Sequence, residues 1–299
     1  MTTRLRPAMA VAALCAWVLG STVAARAEDE GMYAGYAAAL AGIADGMNSA
    51  LSMPSLGGPT GIVSVPNAGT MQSDTWQAAL SYQGMRASSS GMYQASDDLS
   101  VWSLQAARRL NDTAEVWATY SSAADHERSR VWGLGGKKTL THLEGGGGGG
   151  GGGPLAAVGA SYHRWGDAFV SGSRVGGDAR PDANVVKAYA VVTGVLAGKD
   201  GTVLLGTAGI MHLRFDPDRG SGESLTRPFV GIQAVIAGTE LGLEYRWEDP
   251  TLDARPVFSA AIRQVLSDEL TAELGTTNAS PVGTGLGAQR LFLRLSHAF

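Results

Sequence analysis

The chain closes on Gln289-Arg290-Leu291-Phe292-Leu293-Arg294-Leu295-Ser296-His297-Ala298-Phe299, and the alternation in this stretch decides the fold. Residues at every second position of a strand share a face. Leu291, Leu293, Leu295 and Phe299 fall on one face. Arg290, Arg294 and Ser296 fall on the other, with Phe292 as its apolar exception. Such a strand needs two different solvents. In a water-soluble sandwich the apolar face would meet a core. In a membrane barrel it would meet lipid, and the charged face would line the lumen.

The same pattern recurs from about Trp76 onward, in about twelve segments. They are Trp76 to Gln83, Leu99 to Arg109, Ala114 to Ser121, Arg130 to Leu140, Leu155 to Trp165, Asn184 to Leu196, Thr202 to Phe215, Arg227 to Ile236, Glu240 to Glu248, Pro256 to Leu266, Leu270 to Thr276 and the last strand. Each is long enough to cross a hydrocarbon layer at a tilt. Glu240 to Glu248 is the clearest: odd positions are apolar or aromatic, even positions charged or Gly. The connections at Leu110 to Thr113, Ala197 to Gly201, Ala237 to Thr239 and Ser267 to Glu269 are short, and those between them longer. Outer-membrane barrels show this pattern of short periplasmic turns and long extracellular loops. Tyr82, Trp102, Tyr120, Trp132, Tyr162, Trp165, Phe215, Tyr245, Trp247 and Phe258 then sort to the outer end, and Trp76 and Phe299 to the periplasmic end. Aromatic girdles at both interfaces are a barrel feature. The expected fold is all-β, a transmembrane antiparallel outer-membrane β-barrel of about twelve strands spanning residues 75–299.

The N-terminus agrees with export. Arg4 and Arg6 precede an apolar run from Met9 to Leu19, and Ala25-Arg26-Ala27 offers small residues for cleavage. Residues 1–27 therefore read as a signal peptide, with the mature chain beginning near Glu28. Cys15, the only cysteine, leaves with it, which excludes disulfides, thiolate metal sites and a cysteine nucleophile from the mature chain. The net charge of -4 becomes more negative without Arg4, Arg6 and Arg26, and no basic stripe suggests nucleic acid. Residues 28–74 form a separate segment rich in Ala, Gly and Met, open to reading as a short helix, a lumen plug or a loose periplasmic stretch.

Catalytic chemistry is not apparent. His126, His142, His163, His212 and His297 make no pair with metal-ligand spacing. His212 and Arg214 are expected to share a lumen face. Gly-x-Ser-x-Gly is absent. Glu240, Glu244 and Glu248 share a strand face with Arg246, and Arg263, Glu273, Arg290 and Arg294 are expected inward on later strands. Opposite charges facing one another across a lumen satisfy one another or face water, and this reading is preferred to a paired-carboxylate hydrolase. No enzyme activity and no cofactor are expected.

Two resemblances add to this. The last strand, with Leu291, Leu293 and Leu295 before a terminal Phe299, resembles the assembly signal of bacterial outer-membrane barrels, which implies the barrel-assembly machinery and outer-membrane lipid as partners. The run Gly57-Gly58-Pro59-Thr60-Gly61-Ile62-Val63-Ser64-Val65-Pro66-Asn67-Ala68, followed by a spacer and Asp74-Thr75-Trp76, resembles the YjbH-type outer-membrane proteins, with the match carried by Gly58, Gly61, Ile62, Pro66 and Ala68. That resemblance implies a non-enzymatic role in export or assembly of extracellular polysaccharide, with polysaccharide or periplasmic export components as partners. A diffusion channel for small polar solutes and a closed structural barrel are the alternatives.

The connection from Thr141 to Pro154 holds nine consecutive glycines, Gly145–Gly153. Such a run is a flexible tether without a fold of its own. No Lys-Ser/Thr follows it, so it is not a phosphate loop. Shortening it to two residues should leave folding and membrane insertion intact, because loop-closure entropy changes only slowly with length. Heat-modifiable gel migration of the shortened protein checks this.

Overall fold

The computed structural model describes residues 55–56, 59, 61–71, 76–86, 100–123, 130–140, 154–166, 182–199, 202–218, 222–236, 239–247, 256–279 and 285–299. Residues 1–27, the expected signal peptide, the stretch from Glu28 to Pro54, Gly58, Glu248 and the Gly145–Gly153 run lie outside them.

The strands are β1 (Trp76–Arg86), β2 (Val101–Asn111), β3 (Ala114–Ala123), β4 (Arg130–Leu140), β5 (Leu155–Trp165), β6 (Ala183–Lys199), β7 (Thr202–Pro217), β8 (Glu223–Ile236), β9 (Thr239–Arg246), β10 (Val257–Val265), β11 (Leu270–Ala279) and β12 (Gly285–Ala298). Each pairs antiparallel with its sequence neighbours, and β1 pairs with β12, so twelve strands form one closed barrel. At the seam Leu80 faces Leu295 and Gln77 faces Ala298. Trp76 and Phe299 exchange both backbone hydrogen bonds at 2.9 Å. Among the described residues there is no helix.

Side-chain polarity is inverted relative to a water-soluble protein. Outward positions carry Leu80, Leu104, Leu134, Ile210, Ile232, Leu243, Ile262 and Leu274, all exposed. Inward positions carry Glu115, Lys137, Lys187, Arg227, Glu240, Arg263 and Glu273, all buried. Leu241 is 44% exposed while its neighbours Glu240 and Glu244 are each 2% exposed. Leu293 and Leu295 face outward and Phe299 ends the chain exposed, while Arg290, Phe292 and Arg294 point in. An apolar exterior of this extent is a surface for lipid. Aromatics lie along its outer rim, with Tyr82 packed on Trp102 at 4.6 Å and Trp132 on Tyr162 at 5.6 Å.

Two expectations are corrected. Strands β6, β7, β8 and β12 are longer than their alternation suggested, because ladder hydrogen bonding continues past the last apolar residue: Ser224 still pairs with Arg214, and Lys199 with Thr202. His212 and Arg214 face outward, not into the lumen. On β7 the inward positions are Val203, Leu205, Met211 and Leu213, all buried, while His212 reaches Thr226 at 2.9 Å on the outer surface. Polarity misassigned the face because β7 carries apolar side chains inward here, while the inward charges come from its neighbours: Lys187 stands opposite Leu213 and Arg227 opposite Met211. Trp165 and Phe215 lie at the outer end but point inward, edge to face at 5.9 Å. At the outer rim, Arg164 donates to Asp218 at 2.7 and 2.5 Å and to Asp182 at 3.2 Å, and it holds the Asp218 carboxyl below the usual range.

The orientation of the outer face predicts a depth-dependent penalty. Leu241→Arg and Leu293→Arg place a guanidinium against lipid, at roughly 2–4 kcal/mol near the midplane and about 0–1 near an interface. Both should lower the yield of folded barrel in vesicles well below that of Gln264→Arg, an outward site near the short-turn end. Equal yields from the three variants would mean that water, not lipid, meets this face.

Candidate functional site

The lumen is occupied by the chain's own N-terminal segment. The described residues between Ser55 and Met71 lead through a short connection into β1 at the end of the barrel that carries the short turns. They fold back on themselves: Leu56 donates to the Val63 carbonyl at 2.6 Å, Ile62 to the Val65 carbonyl at 3.0 Å, and Gly61 bridges Pro66. The turn depends on Gly61. A Cβ there would lie 2.2 Å from the Val65 carbonyl oxygen, a backbone atom that cannot move aside. Ile62, Val63, Val65 and Ala68 are buried, in one apolar cluster with Trp117, Tyr189, Phe229 and Phe292. Each fully buried Val or Ile contributes roughly 1.5–3 kcal/mol. Ile62 fits because two inward positions beside it are Gly231 and Gly242, where a Cβ would strike its methyl groups.

Polar wall residues then fix the position of this plug. The Glu244 carboxylate accepts the backbone N–H of Val63 at 3.1 Å, of Ser64 at 2.9 Å and of Val65 at 3.0 Å, together with the Ser64 hydroxyl. Arg263 donates to the Ile62 carbonyl at 2.8 Å. The same guanidinium pairs with Glu240 at 2.8 Å and Glu273 at 3.1 Å, and Arg294 reaches Glu273 at 2.9 Å. Gln233 completes this network with a hydrogen bond to Glu240 at 2.7 Å. On the other side of the lumen Lys137 pairs with Glu115 at 3.1 Å and donates to the Asn67 carbonyl at 3.2 Å and to the Gly69 carbonyl. Glu115 accepts the Met71 N–H at 3.1 Å, Thr139 donates to the Ala68 carbonyl at 2.9 Å, and Gln105 donates to the Leu56 carbonyl at 2.8 Å.

The structure brings Gly61, Ile62, Pro66 and Ala68 together with Glu240, Glu244, Arg263, Glu273 and Arg294. Arg246 and Arg290 are also inward and buried, but toward the long-connection end. Gly58 and Glu248 lie outside the described residues. Sequence reasoning missed Glu115, Lys137, Gln105 and Thr139. The signal was present: Glu115, Trp117, Thr119 and Ser121 share one parity and Val116, Ala118 and Tyr120 the other. Among the described residues no group of His, Cys, Asp and Glu is placed to hold a metal ion.

No family model matches the chain, and no curated protein matches it. Solved structures similar to it are outer-membrane barrels. The Acinetobacter baumannii outer membrane protein Omp33 matches at 10% identity, covering 75% of this chain and 98% of its own, with a TM-score of 0.43. The KdgM porin matches at 9% identity over 74% of this chain and 99% of its own, with a TM-score of 0.45. The β domain of the Bordetella autotransporter BrkA matches at 13% identity over 75% of this chain and 98% of its own, with a TM-score of 0.41.

The clamp at Glu244 yields a test. Glu244→Leu leaves the N–H groups of Val63, Ser64 and Val65 without their acceptor, and each orphaned donor costs about 1–3 kcal/mol. A thiol introduced as Val65→Cys in the signal-cleaved protein should react slowly with a maleimide when Glu244 is intact. It should react at least ten-fold faster with Glu244→Leu or Gly61→Val added, while heat-modifiable migration shows that the barrel persists. Unchanged labelling would mean that the clamp does not hold the plug.

Proposed function

We propose that this protein is a non-enzymatic, plug-gated channel of the outer membrane that passes small polar solutes. The observation that supports it is that a segment N-terminal to β1 lies inside the lumen, held by polar side chains of the wall. Residues 59–71 join the barrel covalently only through the link into β1. Much of the hold on them is hydrogen bonding from Glu244, Arg263, Lys137 and Thr139, which water can replace when the segment leaves. Once it leaves, the charged lower wall becomes a polar passage, and the apolar burial of Ile62, Val63 and Val65 makes the closed form the resting one. Lipid is the partner of the outer face, and the barrel-assembly machinery is the expected reader of Leu291, Leu293, Leu295 and Phe299.

The role in polysaccharide export implied by the Gly58 to Ala68 resemblance rests on that segment's sequence, and a strain lacking the protein tests it directly through secreted polysaccharide. Planar-bilayer recording tests the channel. The intact protein should conduct rarely, and a variant lacking residues 28–71 should show large, long-lived open steps. No conductance from either form would favour a closed structural barrel.

A further inference from the structure

Beyond the plug's clamps toward the long-connection end, the β3–β6 wall carries a second polar patch, which makes no hydrogen bond to the described plug. Trp117 on β3 stands opposite Gly135 on β4, Gly135 opposite Ser161 on β5, and Ser161 opposite Lys187 on β6. His163 is the next inward residue along β5, and its Nε2 lies 2.9 Å from Ser161 Oγ. Tyr189 is the next inward residue along β6. Three glycines let the rings lie against the wall. A Cβ would come within 2.2 Å of His163 at Gly133, and within 2.3 Å of Trp117 at Gly135 and of Tyr189 at Gly159.

The plug clamps also leave Gln233 Oε1, Glu273 Oε1 and Arg294 Nη1 unmatched, but within a network of paired opposite charges; among the described residues this patch has no such pairing. Trp117 Nε1, His163 Nδ1 and Tyr189 Oη are buried with no hydrogen-bond partner. Native interiors rarely leave such groups unmatched, and each asks for an explanation. Lys187 is 2% exposed, and among the described residues no carboxylate pairs with it. Its charged neighbour is Arg246, of the same sign, which acts on it from β9. Glu115, the next inward residue to Trp117 on β3, is already engaged by Lys137 and the Met71 N–H. Indole N–H, phenol and ammonium therefore share a stretch of wall that offers no free anion among the described residues, with the Ser161 hydroxyl between them. Buried charges are ordinarily paired, so the complement is an anion supplied from elsewhere.

We propose that this patch binds an oxyanion, the carboxylate or phosphate of a small solute, with Lys187 supplying the charge and Trp117, Tyr189 and the Ser161–His163 pair the hydrogen bonds. Lysine is a common phosphate binder, and hydrogen bonds to an ionised acceptor are roughly twice as strong as neutral ones. The inference rests on the channel reading for the route by which a solute arrives, but binding itself is measurable without conduction.

The test is calorimetric titration of the full-length protein in detergent with sodium glucuronate, with sodium phosphate and with neutral glucose at constant ionic strength. Saturable heat is expected from at least one anion and none from glucose. A response to glucuronate alone assigns a carboxylate, and to phosphate alone a phosphate. Lys187→Gln should weaken binding at least ten-fold. Tyr189→Phe, which removes one unpartnered hydroxyl and keeps the ring against Gly159, should weaken it several-fold and keeps the test available if Lys187→Gln does not fold. No saturable heat from either anion, or equal binding by wild type and both variants, overturns the site. Anion binding by a protein that never conducts, with or without residues 28–71, removes the channel and leaves the site. Conduction without saturable binding does the reverse.

Discussion

Everything in this molecule follows from one constraint: backbone N–H and C=O groups facing hydrocarbon must pair with one another. An antiparallel sheet leaves two edges, and a bilayer offers nothing to satisfy them. The seam between β1 and β12 removes both, down to the paired backbone of Trp76 and Phe299 at the chain's last residue. Closure at twelve strands has a second consequence. Side chains fill a barrel of about eight strands, but a wider one encloses more space than they can occupy. Here the chain supplies the filling itself, through Ile62, Val63, Val65 and their neighbours.

The lumen is divided in character along its axis. Toward the short turns it is ionic, with Arg263 between Glu240 and Glu273 and with Lys137 against Glu115. Toward the long connections the inward positions include the apolar Val101, Val131, Trp165, Val185, Leu213 and Phe229 together with the cations Lys187, Arg227, Arg246 and Arg290, all buried. Buried ion pairs are weak contributors to stability, since desolvation offsets much of their attraction. Their effect is on position: a carboxylate such as Glu244, bonded to three successive N–H groups, admits one register of the plug and penalises others. Apolar burial holds the segment in the barrel, and the polar clamps decide where it sits.

The two polar regions of the lumen differ in how their hydrogen bonds are used. Around Glu244 and Arg263 opposite charges meet within the chain, although Gln233 Oε1, Glu273 Oε1 and Arg294 Nη1 find no partner there. On the β3–β6 wall Trp117, His163 and Tyr189 present groups that the described chain does not match, beside a lysine whose charged neighbour is another cation. A network of paired opposite charges fixes structure, while a cation without a paired carboxylate is suited to a visitor.

The sequence by itself determined the architecture. Alternation at period two, the order of short and long connections and the apolar face of Leu291, Leu293 and Leu295 need only local information, because a strand's two faces are set by its own residues. The inward placement of Glu240, Glu244, Arg263, Glu273 and Arg294 was legible for the same reason. Only the tertiary structure decided which inward side chains meet. Glu244 touches Val63 to Val65 across about 180 residues, and Lys187 comes near Arg246 only because the sheet curls round to bring β6 and β9 to face each other. His212 and Arg214 mark the limit on a single strand. Their polarity pointed to the lumen, but register with β6 and β8 turned them outward and gave the inside to Met211 and Leu213. Polarity on one strand does not by itself fix the face, because the inward charges at this level, Lys187 and Arg227, come from the flanking strands.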